Sequence, residues 1–150
     1  MTQLAPKVNN LSALFGFSVS TAGDVNGDGF DDVIIGARDY RDFESGEGAA
    51  FLYFGSSSGE FSTPVWSVQS NQQFAALGGL VDTAGDVNGD GYEDVALGAP
   101  NAGDESQGAV YILYGQADRI DQVVLTDLPT LVGEEAGDRL GSVVAGLGDI

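Results

Sequence analysis

A ten-residue stretch, Gly23-Asp24-Val25-Asn26-Gly27-Asp28-Gly29-Phe30-Asp31-Asp32, returns 62 residues later as Gly85-Asp86-Val87-Asn88-Gly89-Asp90-Gly91-Tyr92-Glu93-Asp94. The recurrence extends on both sides. Phe15-Gly16-Phe17-Ser18-Val19 aligns with Leu77-Gly78-Gly79-Leu80-Val81 and again with Leu140-Gly141-Ser142-Val143-Val144. Asp32–Ala37 aligns with Asp94–Ala99, and Gly48–Gly55 with Gly108–Gly115. A chain that repeats itself at a fixed period folds as neighbouring copies of one supersecondary unit, each burying its apolar face on the next.

Each unit reads as four short strands, at about 16–22, 32–37, 49–54 and 63–69 in the first and 78–84, 94–99, 109–114 and 121–126 in the second. Val, Ile, Phe and Tyr dominate these runs, glycine bounds them, and no segment keeps a 3.6-residue period over three turns. Four strands per unit at this period predict an all-β fold of four-stranded antiparallel β-propeller blades; a β-solenoid, with its shorter repeats, is the runner-up. The units run 1–14 (tail of a preceding repeat), 15–76, 77–139 and 140–150 (start of a third), so the chain reads as part of a larger ring or as a self-assembling piece of one. The connections 38–47 and 100–107 are polar, differ in length and are expected to be exposed. Val19, Val33, Ile35, Phe51 and Tyr53, with their counterparts Val81, Val95, Leu97, Val110 and Ile112, are expected to pack between units, and Trp66 to be half-buried in an outer strand.

The repeated loop carries oxygen side chains at positions 1, 3 and 5 (Asp24, Asn26, Asp28; Asp86, Asn88, Asp90), a glycine at 6, an aromatic at 7 and Asp at 9 (Asp32; Asp94). Alternation sets the first three on the inside of a tight turn. The carbonyls of Phe30 and Tyr92 add a donor each, and Asp32 and Asp94 close the set. Six or seven hard oxygen donors favour Ca²⁺, one per loop, over Mg²⁺, which keeps more of its waters. Ordinary turns also use Asp, Asn and Gly, but the same spacing at the same place in two repeats favours a cation loop. An EF-hand would need Glu at position 12 and a helix beyond it; Ile35 and Leu97 stand there, within strands. Asp31 and Glu93, at position 8, are expected to face solvent.

The net charge of -18, from 23 acids and 5 bases, argues against nucleic acid and anionic membranes as partners. Two carboxylates about 5 Å apart at an effective dielectric near 20 repel by about 3 kcal/mol, so the acidic loops call for a cation. With no Cys and no His there is no thiolate or imidazole site and no Ser-His-Asp triad. No apolar run is long enough for a membrane-spanning helix, and no signal peptide is visible near Met1.

The composite pattern resembles the FG-GAP repeats of integrin α-subunit propellers. Phe15-Gly16 stands for the FG element and Gly36-Ala37-Arg38 for GAP; Gly98-Ala99-Pro100 is a complete GAP, while Leu77-Gly78 and Leu140-Gly141 replace FG. The resemblance implies a seven-bladed propeller with structural calcium in the loop between the first two strands, ligated by Asp24, Asn26, Asp28, Phe30 and Asp32 and by Asp86, Asn88, Asp90, Tyr92 and Asp94. It implies a non-catalytic, extracellular or cell-surface module for protein recognition or adhesion, binding a protein ligand or associating with itself through open blade edges. The alternatives are the propeller portion of a secreted hydrolase, or an engineered or duplicated piece whose role is assembly.

Overall fold

The computed structural model describes residues 13–42, 44–61, 63–117, 125, 128 and 130–146. They form eight strands: β1 (Phe15–Gly23), β2 (Asp32–Ala37), β3 (Ala49–Tyr53), β4 (Trp66–Gln69), β5 (Leu80–Gly85), β6 (Asp94–Ala99), β7 (Ala109–Leu113) and β8 (Thr130–Val132). The first four make one antiparallel meander and the last four another, each sheet ordered as in the chain. No α-helix occurs among the described residues.

Seven strands lie close to where the sequence puts them. The fourth strand of the second unit does not. Its expected span, 121–126, lies outside the described residues except for Leu125, and the strand that pairs with β7 is β8. The register explains the shift. Ala49 faces Gln69 in the first sheet and Ala109 faces Val132 in the second. The outer strands are therefore equivalent at a 63-residue offset. The apolar Val123-Val124-Leu125 run drew the sequence reading away from that offset.

The two sheets sandwich one apolar layer. Ile34, Ala50, Leu52, Trp66 and Val68 enter it from the first sheet, and Val81, Val95, Leu97, Ala99, Ala109 and Leu113 from the second. This corrects seven of the ten expected core positions. Val81, Val95 and Leu97 do pack between the sheets. Phe51, Tyr53 and Ile35 belong to a second cluster on the other face of the first sheet, with Ala37, Ala49, Phe15, Tyr40 and Phe61. Val33 and Val19 share that outer face through their pairing with Tyr53 and Ile35, and Val19 is exposed. Val110 and Ile112 alternate to the outer face of the second sheet. Strand side chains switch face at every residue, and β2 and β3 are apolar on both faces, so hydrophobicity does not reveal which parity points where. Trp66 is fully packed in the inter-sheet layer, not half-buried. Loop 38–47, expected to be exposed, ends in the buried Glu47, whose carboxylate accepts the Asp42 N–H at 2.5 Å.

Successive units approach closely at two equivalent glycines, Gly36 of the first sheet and Gly98 of the second. A Cβ on Gly36 would lie 2.1 Å from the Gly78 carbonyl oxygen, and one on Gly98 would lie 2.3 Å from that of Gly141. The glycine ending the second strand of one unit thus seats the glycine opening the next unit. The repeated motif is a joint between units, and no side chain fits in it.

Candidate metal centre

Both acidic loops are β1–β2 and β5–β6 hairpin connections, anchored where Gly23 faces Asp32 and Gly85 faces Asp94. In loop 1 Asp24 accepts from the N–H groups of Asp28 (3.0 Å) and Gly29 (2.8 Å). Asn26 Oδ1 accepts from Asp28 N–H at 2.9 Å, and Asp28 Oδ1 from Phe30 N–H at 2.9 Å. Loop 2 repeats the pattern: Asp86 with Asp90 N–H (3.1 Å) and Gly91 N–H (2.8 Å), Asn88 with Asp90 N–H (2.9 Å), Asp90 with Tyr92 N–H (3.0 Å). These side-chain-to-backbone bonds wind positions 1 to 7 into a tight turn.

Position 9 does a different job. Asp32 and Asp94 are fully buried. Asp32 accepts the Val25 N–H (2.9 Å) with one oxygen and the Gly55 N–H (2.8 Å) with the other. Asp94 accepts from Val87 (2.8 Å) and Gly115 (2.9 Å). Each carboxylate thus ties its own loop to the chain leaving the third strand. Burial pushes the Asp32 carboxyl up to about 6, and the negative charges of Asp28 and Asp24 add to this against the two backbone hydrogen bonds. Asp94 is raised by burial and by Asp90 and Asp86, again opposed by its two N–H partners.

The donor set is oxygen throughout. Every side-chain oxygen named accepts one or two hydrogen bonds, and a carboxylate offers about four lone-pair sites, so the residues fit a hard cation. Among the described residues no three His, Cys, Asp or Glu side chains are gathered as a ready cluster. Asn26 and Asn88 meanwhile donate their Nδ2 groups to Asp28 (3.0 Å) and Asp90 (2.9 Å). At position 8 Asp31 is exposed, but Glu93 is half-buried and lies against Gly23, so the two differ where the sequence reading treats them alike. Gly55 and Gly115 were not anticipated as partners of the loop. Their one signal is a glycine closing the third strand in both repeats.

The FG-GAP repeat family matches residues 15–53 and 78–113. The chain is 40% identical over 108 residues to integrin alpha-PS2 of Drosophila melanogaster, covering 67% of the chain and 8% of that protein. It is 36% identical over 141 residues to integrin alpha pat-2 of Caenorhabditis elegans, covering 85% and 11%. It is 37% identical over 110 residues to integrin alpha-8 of Gallus gallus, covering 70% and 10%. The chain spans about a tenth of the length of these curated relatives.

Proposed function

The chain belongs to the FG-GAP repeat family, is integrin α-like, and has β-propeller blades for its two sheets; from that premise we propose that it is a calcium-stabilised, non-catalytic module of extracellular or cell-surface protein recognition. The observation that carries the calcium reading is the pair of position-9 carboxylates. Asp32 and Asp94 are each buried behind a turn of hard oxygen donors that carries two further carboxylates, Asp24 and Asp28 in one loop and Asp86 and Asp90 in the other. A cation in front of each relieves the repulsion and adds its binding free energy to folding. The ligands are Asp24, Asn26, Asp28, the Phe30 carbonyl and Asp32, then Asp86, Asn88, Asp90, the Tyr92 carbonyl and Asp94. Recognition is assigned to the opposite end of the sheets, where the β2–β3 and β6–β7 loops differ between units. The exposed part of the first blade's β1, with Phe17 and Val19 at the surface, accepts a further blade of the same or another chain.

Thermal unfolding in millimolar calcium and in EDTA tests this. Two sites of the weak extracellular kind contribute about 1 kcal/mol each at that concentration, so calcium raises Tm by about 5 °C. Identical curves in the two buffers would sink the calcium reading.

A further inference from the structure

The two acidic loops have nearly the same sequence and internal hydrogen bonds, yet among the described residues only loop 1 is covered. The Tyr92 ring of loop 2 lies on the backbone of loop 1 at Gly27, where a Cβ would sit 2.8 Å from Tyr92 Cε1. Gln116 N–H donates to the Val25 carbonyl at 2.8 Å, and Glu93 N–H to the Asp24 carbonyl at 3.3 Å. Val25 is consequently 1% exposed, whereas Val87, its counterpart, is 55% exposed, and a Cβ on Gly89 would meet nothing within 4 Å. A continuous path also joins the two buried carboxylates. Asp94 holds the Gly115 N–H, the adjacent Gln116 N–H holds the Val25 carbonyl, and the Val25 N–H is held by Asp32.

We propose that blade 2 positions the calcium site of blade 1: the Tyr92 ring on Gly27 and the Gln116 N–H on Val25 hold residues 25–29 in the ligating turn, so loop 1 binds calcium more tightly than loop 2. This rests on the calcium reading above and adds a positioning role that the ligand set does not contain. A loop already held in its bound form loses less conformational freedom on binding, and rigidity is one of the determinants of calcium affinity. Tyr92 contributes its carbonyl to its own loop and its ring to the neighbouring one.

Calcium titration calorimetry on two backgrounds of the 150-residue chain tests it. Asp86→Asn with Asp90→Asn leaves loop 1 to titrate; Asp24→Asn with Asp28→Asn leaves loop 2. Loop 1 binds at least about five-fold more tightly. In the first background Tyr92→Ala removes most of that advantage and Tyr92→Phe rescues it, because the contact is made by ring carbons. In calcium-free buffer the same Tyr92→Ala speeds amide hydrogen exchange across residues 25–29. Gly27→Ala and Gly89→Ala supply a matched pair should Tyr92→Ala fold poorly. Both positions have positive φ, 74° and 76°, so backbone strain is shared, and only Gly27→Ala meets a ring. It weakens its own loop more than Gly89→Ala does. Equal affinity of the two loops, unmoved by Tyr92→Ala, overturns the positioning role and leaves the calcium reading standing. No calcium heat in either background overturns both.

Discussion

Blade 1 and blade 2 are close copies in sequence, and the same position in each has opposite surroundings. Val68 of β4 pairs with Ala50 and is 6% exposed; Leu131 of β8 pairs with Val110 and is 64% exposed. Val25 and Val87 show the same contrast in the acidic loops. What differs is the neighbour on the trailing face, which for blade 1 is blade 2. A blade's sequence therefore specifies its strands, turns and ladder register, but the energy of its trailing face depends on what covers it. In repeat architectures stability is a sum of unit terms and interface terms, and this pair of blades separates the two.

The sharpest way to break that comparison is in the outer strands. Trp66→Ala empties a packed site in the inter-blade layer and costs about 3–5 kcal/mol. Leu131→Ala, in the equivalent strand of blade 2, costs less than about 0.5 kcal/mol. Urea unfolding of the two variants measures the difference. Similar costs would mean that the inter-blade layer contributes little.

The same contrast explains what the sequence could and could not reveal. Strand β6 coincides with its expected span because Asp94 and Gly98-Ala99 mark its ends chemically. β8 has no such marker, and a stronger apolar run lies nearby. The loop residues were legible because the spacing of Asp24, Asn26, Asp28 and Asp32 follows from turn geometry alone. Gly55, Gly115, Gln116 and the ring of Tyr92 were not. Their roles depend on which strand or blade lies next to the loop, and that is tertiary information. The parity of the core was hidden for a related reason. Val33-Ile34-Ile35 is apolar on both faces, and only the presence of a second sheet distinguishes Ile34 from its neighbours.

The position-9 carboxylates offer a test where the two blades should agree. Each accepts one fully buried and one part-buried backbone N–H, in opposite order: Val25 and Gly115 donate the buried bonds, Gly55 and Val87 the part-buried ones. Asp32→Ala and Asp94→Ala leave these donors without partners, at a cost of about 3 kcal/mol each. The two values agree within about 1 kcal/mol, read by chemical unfolding in EDTA. A large inequality would mean that cover from blade 2 reaches into the carboxylate pocket itself.

Next in size are the glycine joints. Gly36→Ala drives a methyl group into the Gly78 carbonyl between two complete blades and costs about 2–3 kcal/mol of global stability. Gly98→Ala makes the same clash with Gly141, but residues 140–146 are largely exposed and can shift away without disturbing the inter-blade layer. Its global cost therefore stays below about 1 kcal/mol. Hydrogen exchange separates the cases. Gly98→Ala speeds exchange only around Leu140, whereas Gly36→Ala does so across the inter-blade layer.

The smallest effect probes the inner strands, where one carboxylate reaches both neighbours. Asp82 of β5 accepts the Ser20 hydroxyl of blade 1 at 2.6 Å and the Gly146 N–H of the following stretch at 2.9 Å, together with Thr83 N–H at 3.0 Å. Partial burial pushes its carboxyl up, but these three hydrogen bonds outweigh it and hold the pKa below the ordinary value. A carboxylate whose folded pKa is depressed stabilises the fold once the pH exceeds its unfolded value of about 4, and the contribution is lost as the pH falls through the folded value. Asp82→Asn keeps the shape and loses the charge, so it costs about 1 kcal/mol at pH 7 and progressively less as the pH falls below the unfolded value. The difference between wild-type and Asp82→Asn stability should shrink on acidification. A difference independent of pH would assign Asp82 a packing role and remove the charge-assisted link between successive inner strands.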